Sequence, residues 1–277
     1  MFRIVFGTLL LFVAAAAVLV IWSNQRWGAA IDEDIARLRA GAARDIRVVT
    51  ADMVAILPAP VQRYLAWSGV IGKPIPAIVR LTQTGRIRGS EDGAWMPLEA
   101  EETYSTNPPA FAWKAFLPSR NLPVALGRDE YLDGEGSILI KMLSLFPVAD
   151  ESGERLREAA LTRYLNEMMW FPAALASDDV TWTAIDDASA KVSLHDRGVH
   201  ASAIVLFDDE GRIVNFRALR FNTQTRRMET WETPISAYGV FAGLNLPARG
   251  SAVWKRSNGD FAYVELEITG VEYDTDR

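Results

Sequence analysis

Residues 128–143 read RDEYLDGEGSILIKML, and this stretch carries the clearest indication of the fold class. Two runs that contain apolar residues, 128–132 and 137–143, flank Asp133-Gly134-Glu135-Gly136, whose composition is typical of a tight turn. Strands joined by so short a turn pair antiparallel, because a parallel pair needs a crossover of a dozen or more residues. The stretch therefore predicts a β-hairpin within an antiparallel sheet.

The same pattern recurs on both sides of this hairpin. Apolar and polar residues alternate from about Ile78 onward, and the turns at 208–211 (DDEG) and 258–260 (NGD) each lie between two such runs. About ten strands are predicted. Because open twisted sheets rarely run past about ten strands without curling, we expect a mainly β (α+β) fold built on a large curved antiparallel sheet or half-barrel.

One helix interrupts the strands. Residues 154–169 place Leu156, Leu161, Leu165 and Met168 at helical spacing, with charged residues at the other positions. This segment is expected to cover one face of the sheet. Shorter helices are predicted over 28–40 and after Pro60.

The N-terminal segment 4–22, IVFGTLLLFVAAAAVLVIW, contains no charged residue. Nineteen helical residues span about 28 Å, close to the roughly 30 Å hydrocarbon core of a bilayer. A cleaved signal peptide is the alternative, but its apolar core is usually only 7–15 residues long. We therefore expect one uncleaved transmembrane helix that contacts the lipid bilayer, in a single-pass protein of the cell membrane whose C-terminal domain lies outside the cytoplasm.

These features divide the chain into three parts. Residues 1–27 form the transmembrane anchor with its short N-terminal tail, residues 28–49 a juxtamembrane helix and linker, and residues 50–277 a single antiparallel β-rich domain with the inserted helix 154–169. No signal indicates the oligomeric state.

Composition excludes several classes of function. The net charge is −6 and the pI about 5.1, which argues against nucleic-acid binding, because duplex DNA requires a concentrated basic face. The chain has no cysteine and only two histidines, His195 and His200, with no third metal ligand nearby in sequence. No catalytic residue, metal site or cofactor is predicted.

Aromatic residues provide the main indication of binding. A curved sheet lined by large apolar side chains can form a cleft for an acyl chain, although aromatic residues are also common in an ordinary β core. The candidate ligand-binding residues are Trp113, Trp170, Phe171, Trp182, Trp231 and Trp254.

Four segments carry a resemblance to a known family: PVQRYLAWSGVIGKP (60–74), GRDEYLDGEGSILIKMLSLFPVAD (127–150), RYLNEMMWFPAAL (163–175) and PARGSAVWKRSNGDFAYVELEITGVEY (247–273). Over about residues 50–275 the chain resembles an uncharacterised bacterial family of unknown function whose members usually have an N-terminal membrane segment. The strand-rich plan with a covering helix is also loosely similar to the LolA-like half-barrels of lipoprotein carriers, which hold acyl chains. The first resemblance implies no activity, and the second concerns architecture alone.

Three hypotheses about function follow. The leading one is a membrane-tethered, non-enzymatic module that binds a lipid or other apolar ligand in a cleft between sheet and helix. The second is an envelope hydrolase that acts on glycans or lipids with paired carboxylates, such as Glu99 with Glu101 or Glu265 with Glu267. The third is a scaffold or assembly partner of another membrane protein, which would expose an apolar patch.

Overall fold

A computed structural model describes residues 2–43, 47–119 and 122–274. Residues 1, 44–46, 120–121 and 275–277, which the sequence-based boundaries include, lie outside the described residues. The helices are α1 (Phe2–Gly41), α2 (Ala51–Ala55), α3 (Ala59–Ser68) and α4 (Glu154–Glu167), with 3-10 turns at Met168–Trp170 and Pro172–Ala176.

The strands form one antiparallel sheet. They are β1 (Ile78–Ile87), β2 (Met96–Thr106), β3 (Pro109–Ser119), β4 (Leu122–Leu132), β5 (Glu135–Met142), β6 (Phe146–Ser152), β7 (Val180–Asp186), β8 (Ser189–Asp196), β9 (Val199–Phe207), β10 (Ile213–Asn222), β11 (Arg227–Glu232), β12 (Ile235–Phe241), β13 (Leu244–Arg256) and β14 (Gly259–Asp274).

The predicted fold class is confirmed, with a larger number of strands than expected. The described residues form a 14-stranded sheet in the order β6-β5-β4-β3-β2-β1-β14-β13-β11-β10-β9-β8-β7, with β12 attached to β13. The sequence-based count was low because β6 and β12 do not alternate cleanly between buried and exposed residues. Local periodicity is weak in strands of this kind.

One long-range pairing joins the two halves of the sheet. Strand β1 pairs with β14, so that Ile78 faces Asp274 and Ile87 faces Val264. All other neighbours in the order, apart from β11 and β13, are joined by a hairpin turn or a short connection. The sheet is therefore two runs of antiparallel strands joined by the pairing of its first and last strands.

Helix α4 lies inside the curve of the sheet. It contacts β5, β6, β9 and β10, which belong to opposite halves of the strand order. It buries Leu156, Leu161, Tyr164 and Leu165, as its helical spacing predicts. Each such side chain contributes about 1.5–3 kcal/mol on full burial, so α4 holds the curved sheet together from within.

The predicted anchor and juxtamembrane helix form one continuous helix, α1. Its first part exposes apolar side chains, including Phe12 at 75% and Val18 at 64%. Its later part packs on the outer face of the sheet through Trp27, Ile31 and Leu38, which are buried. Among the described residues, this helix, over Leu10–Gly41, has the length and composition to cross a membrane, a property that an anchor and a signal sequence share.

Polar contacts also attach α1 to the sheet. Asp34 lies 2.5 Å from Arg128 on β4, and the Ser23 hydroxyl donates a hydrogen bond to the Ser144 carbonyl at 2.5 Å. Burial, together with the nearby Glu130 carboxylate, raises the pKa of Asp34 from 3.8 to about 6. The contact is therefore a titratable junction between the helix and the domain.

Candidate functional site

A cavity of about 450 Å³ lies between α4 and the inner face of the sheet. This volume falls within the range of about 300–1,000 Å³ that is usual for small-molecule sites. Side chains from both halves of the sheet line it. Its apolar wall includes Met96, Trp113, Leu117, Ile140, Trp231 and Trp254.

The cavity has a mouth at one end of the sheet. Gly89, Val148 and Gln224 line the cavity and are also exposed to solvent. Gln224, in the turn between β10 and β11, donates a hydrogen bond from Nε2 to the Gly89 carbonyl at 3.2 Å. Arg226 in the same turn lies 3.3 Å from Glu151 on β6. The turn therefore bridges the mouth through contacts at the protein surface.

Four of the six aromatic residues predicted to bind ligand line this cavity. Trp113, Trp170, Trp231 and Trp254 come from β3, the first 3-10 turn, β11 and β13. The indole of Trp231 donates to the Tyr263 hydroxyl at 3.1 Å, which holds one wall in place. The structure therefore brings together tryptophans that lie far apart in sequence.

The other two predicted residues lie elsewhere. Trp182 borders a separate space of only about 10 Å³ and donates a hydrogen bond from Nε1 to the Leu175 carbonyl at 2.9 Å. Phe171 is 1% exposed and packs between Tyr104 and Tyr164, with ring centroids 4.9 and 5.7 Å away. Phe171 belongs to the packed core and the half-buried Trp182 packs against that core, so neither side chain lines the large cavity.

A buried ionic cluster lies where α4 meets β2 and β4. The Arg163 guanidinium on α4 donates to Glu102 at 2.9 Å, to Asp129 at 2.6 Å and to Glu167 at 2.8 Å. Its side chain is 13% exposed, and that of Glu102 is fully buried. Gln83 donates a further hydrogen bond to Glu102 at 3.2 Å. Three carboxyl groups thus share one cation.

Burial shifts the pKa of two of these acids, Glu102 and Glu167. Burial raises the pKa of Glu102 well above 4.5, and the positive charge of Arg163 only partly offsets this effect. Burial also raises the pKa of Glu167. The cluster therefore favours uptake of a proton over three free negative charges. Arg163 donates a hydrogen bond to each of the three carboxyl groups. The geometry therefore favours a structural role, in which the cluster links the helix to the sheet, over a catalytic acid–base pair.

A second buried arginine has different surroundings. Arg220 on β10 lines the cavity, is 8% exposed and donates from Nε to the Ala159 carbonyl of α4 at 2.9 Å. Its guanidinium carbon lies 4.8 Å from the ring centroid of Trp231 and 5.9 Å from that of Trp254. Within residues 2–43, 47–119 and 122–274, no acidic oxygen lies within 4.0 Å of its nitrogens.

The histidines and the paired glutamates considered as candidate functional residues do not line the cavity. The imidazoles of His195 and His200 face each other across the β8–β9 hairpin, with ring centroids 4.3 Å apart. The described part of the chain holds no group of three or more His, Cys, Asp or Glu residues that could bind a metal ion. Glu265 and Glu267 form surface ion pairs with Arg86 at 2.7 Å and Arg249 at 2.8 Å.

Sequence reasoning missed Arg220 and Glu102, although a signal for both exists. Glu102 has the same strand parity as Leu98 and Ala100, and Arg220 the same parity as Ala218. Alternate residues of a strand point to the same face. A charged residue that shares its side of a strand with buried apolar residues is therefore predicted to point inward.

Comparisons with known proteins agree with the expected family. A family model described as "Family of unknown function (DUF6544)" matches residues 47–266. No curated protein was found to match the chain.

Solved structures show a loose similarity of architecture, as expected for LolA-like half-barrels. A LolA superfamily protein from Nitrosomonas europaea aligns with a TM-score of 0.44 and 11% identity, over 82% of this chain and 94% of that one. A structure described as a "putative outer membrane lipoprotein-sorting protein domain" from Vibrio parahaemolyticus aligns with a TM-score of 0.41 and 6% identity, over 73% of this chain and 87% of that one. A DUF1329 family protein from Desulfovibrio piger aligns with a TM-score of 0.43 and 7% identity, over 82% and 94%.

Proposed function

We propose that this chain, which belongs to the DUF6544 family of unknown function, is a membrane-tethered module that binds one lipid or other apolar ligand between α4 and the sheet. The observation that carries the proposal is the cavity of about 450 Å³ with its aromatic and aliphatic wall. Binding of an apolar ligand there would remove both the ligand and the wall from water.

The volume of the cavity supports a bound molecule. About 450 Å³ is within the usual range for small-molecule sites. Because the cavity opens to solvent at its mouth, water can enter it and contact the apolar side chains of its wall. Exchange of that water for an apolar ligand removes apolar surface from water and is favourable.

Helix α1 supports the tether. The side chains of Leu10, Phe12 and Leu19, which lie before Trp22, are exposed, whereas Trp27 and later apolar residues pack on the sheet. Insertion of the first part into a bilayer would bury the exposed apolar surface and satisfy every backbone group within the helix. The domain would then be held beside the lipid from which a ligand could enter. We propose that it lies outside the cytoplasm.

The alternative of a hydrolase with paired carboxylates has less support. Asp129 and Glu167 both line the cavity, but both are bonded to Arg163. A general acid needs a proton that it can deliver to a substrate atom. Binding without chemistry is thus the function that the geometry supports better.

Native mass spectrometry of the full chain, released from detergent micelles, tests the proposal. We expect a co-purified lipid at one per chain. Ala125→Trp should abolish it, because Ala125 is 2% exposed and lines the cavity. Ala184→Trp is the matched control, because Ala184 is an exposed residue of β7. Absence of lipid from the folded wild-type chain, or equal retention by both variants, would contradict binding in this cavity.

A further inference from the structure

Arg220 is a buried cation that has no acidic oxygen within 4.0 Å among the residues that the structure describes. Its side chain lines the cavity and is 8% exposed, and its one hydrogen bond to a described residue is from Nε to the Ala159 carbonyl. An arginine side chain carries five N–H donors, so the Nη atoms retain donors for another partner. Buried charges in proteins are usually paired, which makes this residue an exception that calls for an explanation.

The nearest acidic residue on the neighbouring strand is engaged elsewhere. Glu229 lies opposite Arg220 in the β10–β11 register. Its carboxylate accepts a hydrogen bond from Asn222 at 2.9 Å and lies 3.7 Å from Arg256. Trp231 and Trp254 hold the guanidinium over their rings but provide no negative charge. The missing counter-ion is therefore one that the described residues do not supply.

Two other arginines that line the cavity, Arg163 and Arg128, are paired with acids. Arg163 contacts three carboxyl groups, and Arg128 contacts Asp34 and Glu130 at 2.5 and 2.8 Å. Arg88 also lines the cavity and has no carboxylate within 4.0 Å among the described residues, but it is only half-buried and donates to the carbonyls of Ala262 and Glu91.

We infer that Arg220 binds the anionic head group of the cavity's ligand, and that this ligand is an amphiphile with one negatively charged oxygen group. The inference rests on the proposed function and adds the ligand's chemical class. A guanidinium fork matches the paired oxygens of a carboxylate and of a phosphodiester, so a fatty acid and an anionic phospholipid share the required chemistry. Asp129 and Glu167, two of the carboxyl groups around Arg163, line the same cavity and would repel a second negative charge.

Photo-crosslinking in a neutral bilayer tests this inference on the full chain. The protein is placed in phosphatidylcholine nanodiscs that contain, in separate samples, a diazirine derivative of palmitic acid, of hexadecanol or of phosphatidylglycerol. Mass spectrometry then measures the labelled fraction of the peptides that line the cavity. We expect the acid or the anionic phospholipid to label the wild-type cavity about tenfold or more above hexadecanol, since hydrogen bonds to a charged group are among the strongest in proteins. The arm that exceeds hexadecanol identifies the source of the anion.

Variants separate the role of the charge from that of the cavity. Arg220→Met should reduce labelling by the anionic probe to the level of hexadecanol, and Arg220→Lys should restore part of the preference. Arg217→Met is the control, because Arg217 is on the same strand, points to the opposite face and pairs with Glu232 at 2.5 Å. Circular dichroism confirms that each variant is folded.

The outcomes distinguish the two proposals. If wild-type cavity peptides are labelled by hexadecanol and by the anionic probes equally, the anion site is refuted while the apolar cavity stands. If none of the probes labels these peptides, the proposed function itself fails. A preference for the anionic probes that persists in Arg220→Met overturns the assignment to Arg220. The wild-type comparison needs no variant, so it decides the question even if Arg220→Met does not fold.

Discussion

Replacement of Arg163 by methionine tests how α4 is held inside the sheet. The guanidinium is the shared cation of Glu102, Asp129 and Glu167, whose side chains are 0%, 11% and 6% exposed. Removal of one partner of a buried ion pair typically costs about 3–5 kcal/mol, because the other charge remains buried. The remaining carboxyl groups can escape this cost by taking up protons. For a glutamate of ordinary pKa 4.5, protonation at pH 7 costs roughly 3.5 kcal/mol, at about 1.4 kcal/mol per pH unit.

These two estimates agree, so Arg163→Met should lower the free energy of unfolding by about 3–5 kcal/mol at pH 7. At roughly 2–4 °C per kcal/mol for a domain of this size, Tm should fall by about 6–20 °C. At pH 5 the protonation cost of a glutamate drops to roughly 0.7 kcal/mol, so most of the deficit should disappear. In the wild-type chain, burial raises the pKa of Glu102 and Glu167, so their contribution to stability is fully present below pH 4.5 and is lost as the pH rises.

Thermal unfolding of the full chain in a mild detergent, followed by near-UV circular dichroism at pH 5 and pH 7, provides the measurement. Arg80→Met is the control, because Arg80 forms an exposed pair with Glu272 at 3.2 Å, and exposed pairs contribute little. Combining Arg163→Met with Glu102→Gln and Glu167→Gln should restore much of the Tm at pH 7. A Tm deficit that is the same at both pH values, or one no larger than that of Arg80→Met, would refute the reasoning.

Three further predictions concern the other contacts of α1 and α4. Gly136→Ala should destabilise the chain by about 1–3 kcal/mol in chemical denaturation, because the new Cβ would lie 2.7 Å from the Leu156 carbonyl oxygen. Gly28→Ala is the control: its new Cβ meets nothing within 4 Å, so this variant should stabilise α1 by up to about 1 kcal/mol. The part of α1 docked on the sheet should lose protection from hydrogen exchange as the pH rises through about 6. The raised pKa of Asp34 means that this residue stabilises the docked helix most below pH 3.8 and that the stabilisation is lost as the pH rises through about 6. Asp34→Asn should remove this pH dependence. Ala15→Arg should release the protein from membranes during carbonate extraction, because a charge at the centre of a spanning helix costs about 2.5–3.5 kcal/mol. Ala29→Arg is the control and should leave the protein in the membrane, because Ala29 is an exposed residue of the same helix beyond the anchor.

Local signals explain what the sequence could predict. The hairpin at 128–143 forms because Asp133 and Gly134 both take positive φ, 56° and 81°, at the turn between β4 and β5. Helix α4 covers 154–167 of the 154–169 predicted from its apolar spacing, and its last residues tighten into a 3-10 turn. Both features depend on residues that are close together in the chain.

Long-range pairing explains what the sequence could not predict. The pairing of β1 with β14 joins residues almost two hundred positions apart, and no periodicity specifies it. The cavity depends on this pairing, because its wall takes side chains from both halves of the sheet. The sequence therefore indicated that tryptophans favour an apolar site, but not that Trp113 would face the large cavity while Trp182 would lie beside a different, much smaller space.

The two buried arginines of the cavity should respond in opposite ways to the loss of their charge. Arg163 has more negative charge around it than it can neutralise, so its removal leaves buried anions and destabilises the fold. Arg220 has no carboxylate within 4.0 Å among the described residues, so its burial itself is a cost that the ligand-free protein bears. Binding sites commonly contain groups whose burial lowers the stability of the protein. A charged group that is already paired within the fold would bind a ligand only weakly. A gain in stability on loss of the Arg220 charge, together with weaker binding of anionic amphiphiles, is the combination that separates a ligand-binding arginine from a structural one.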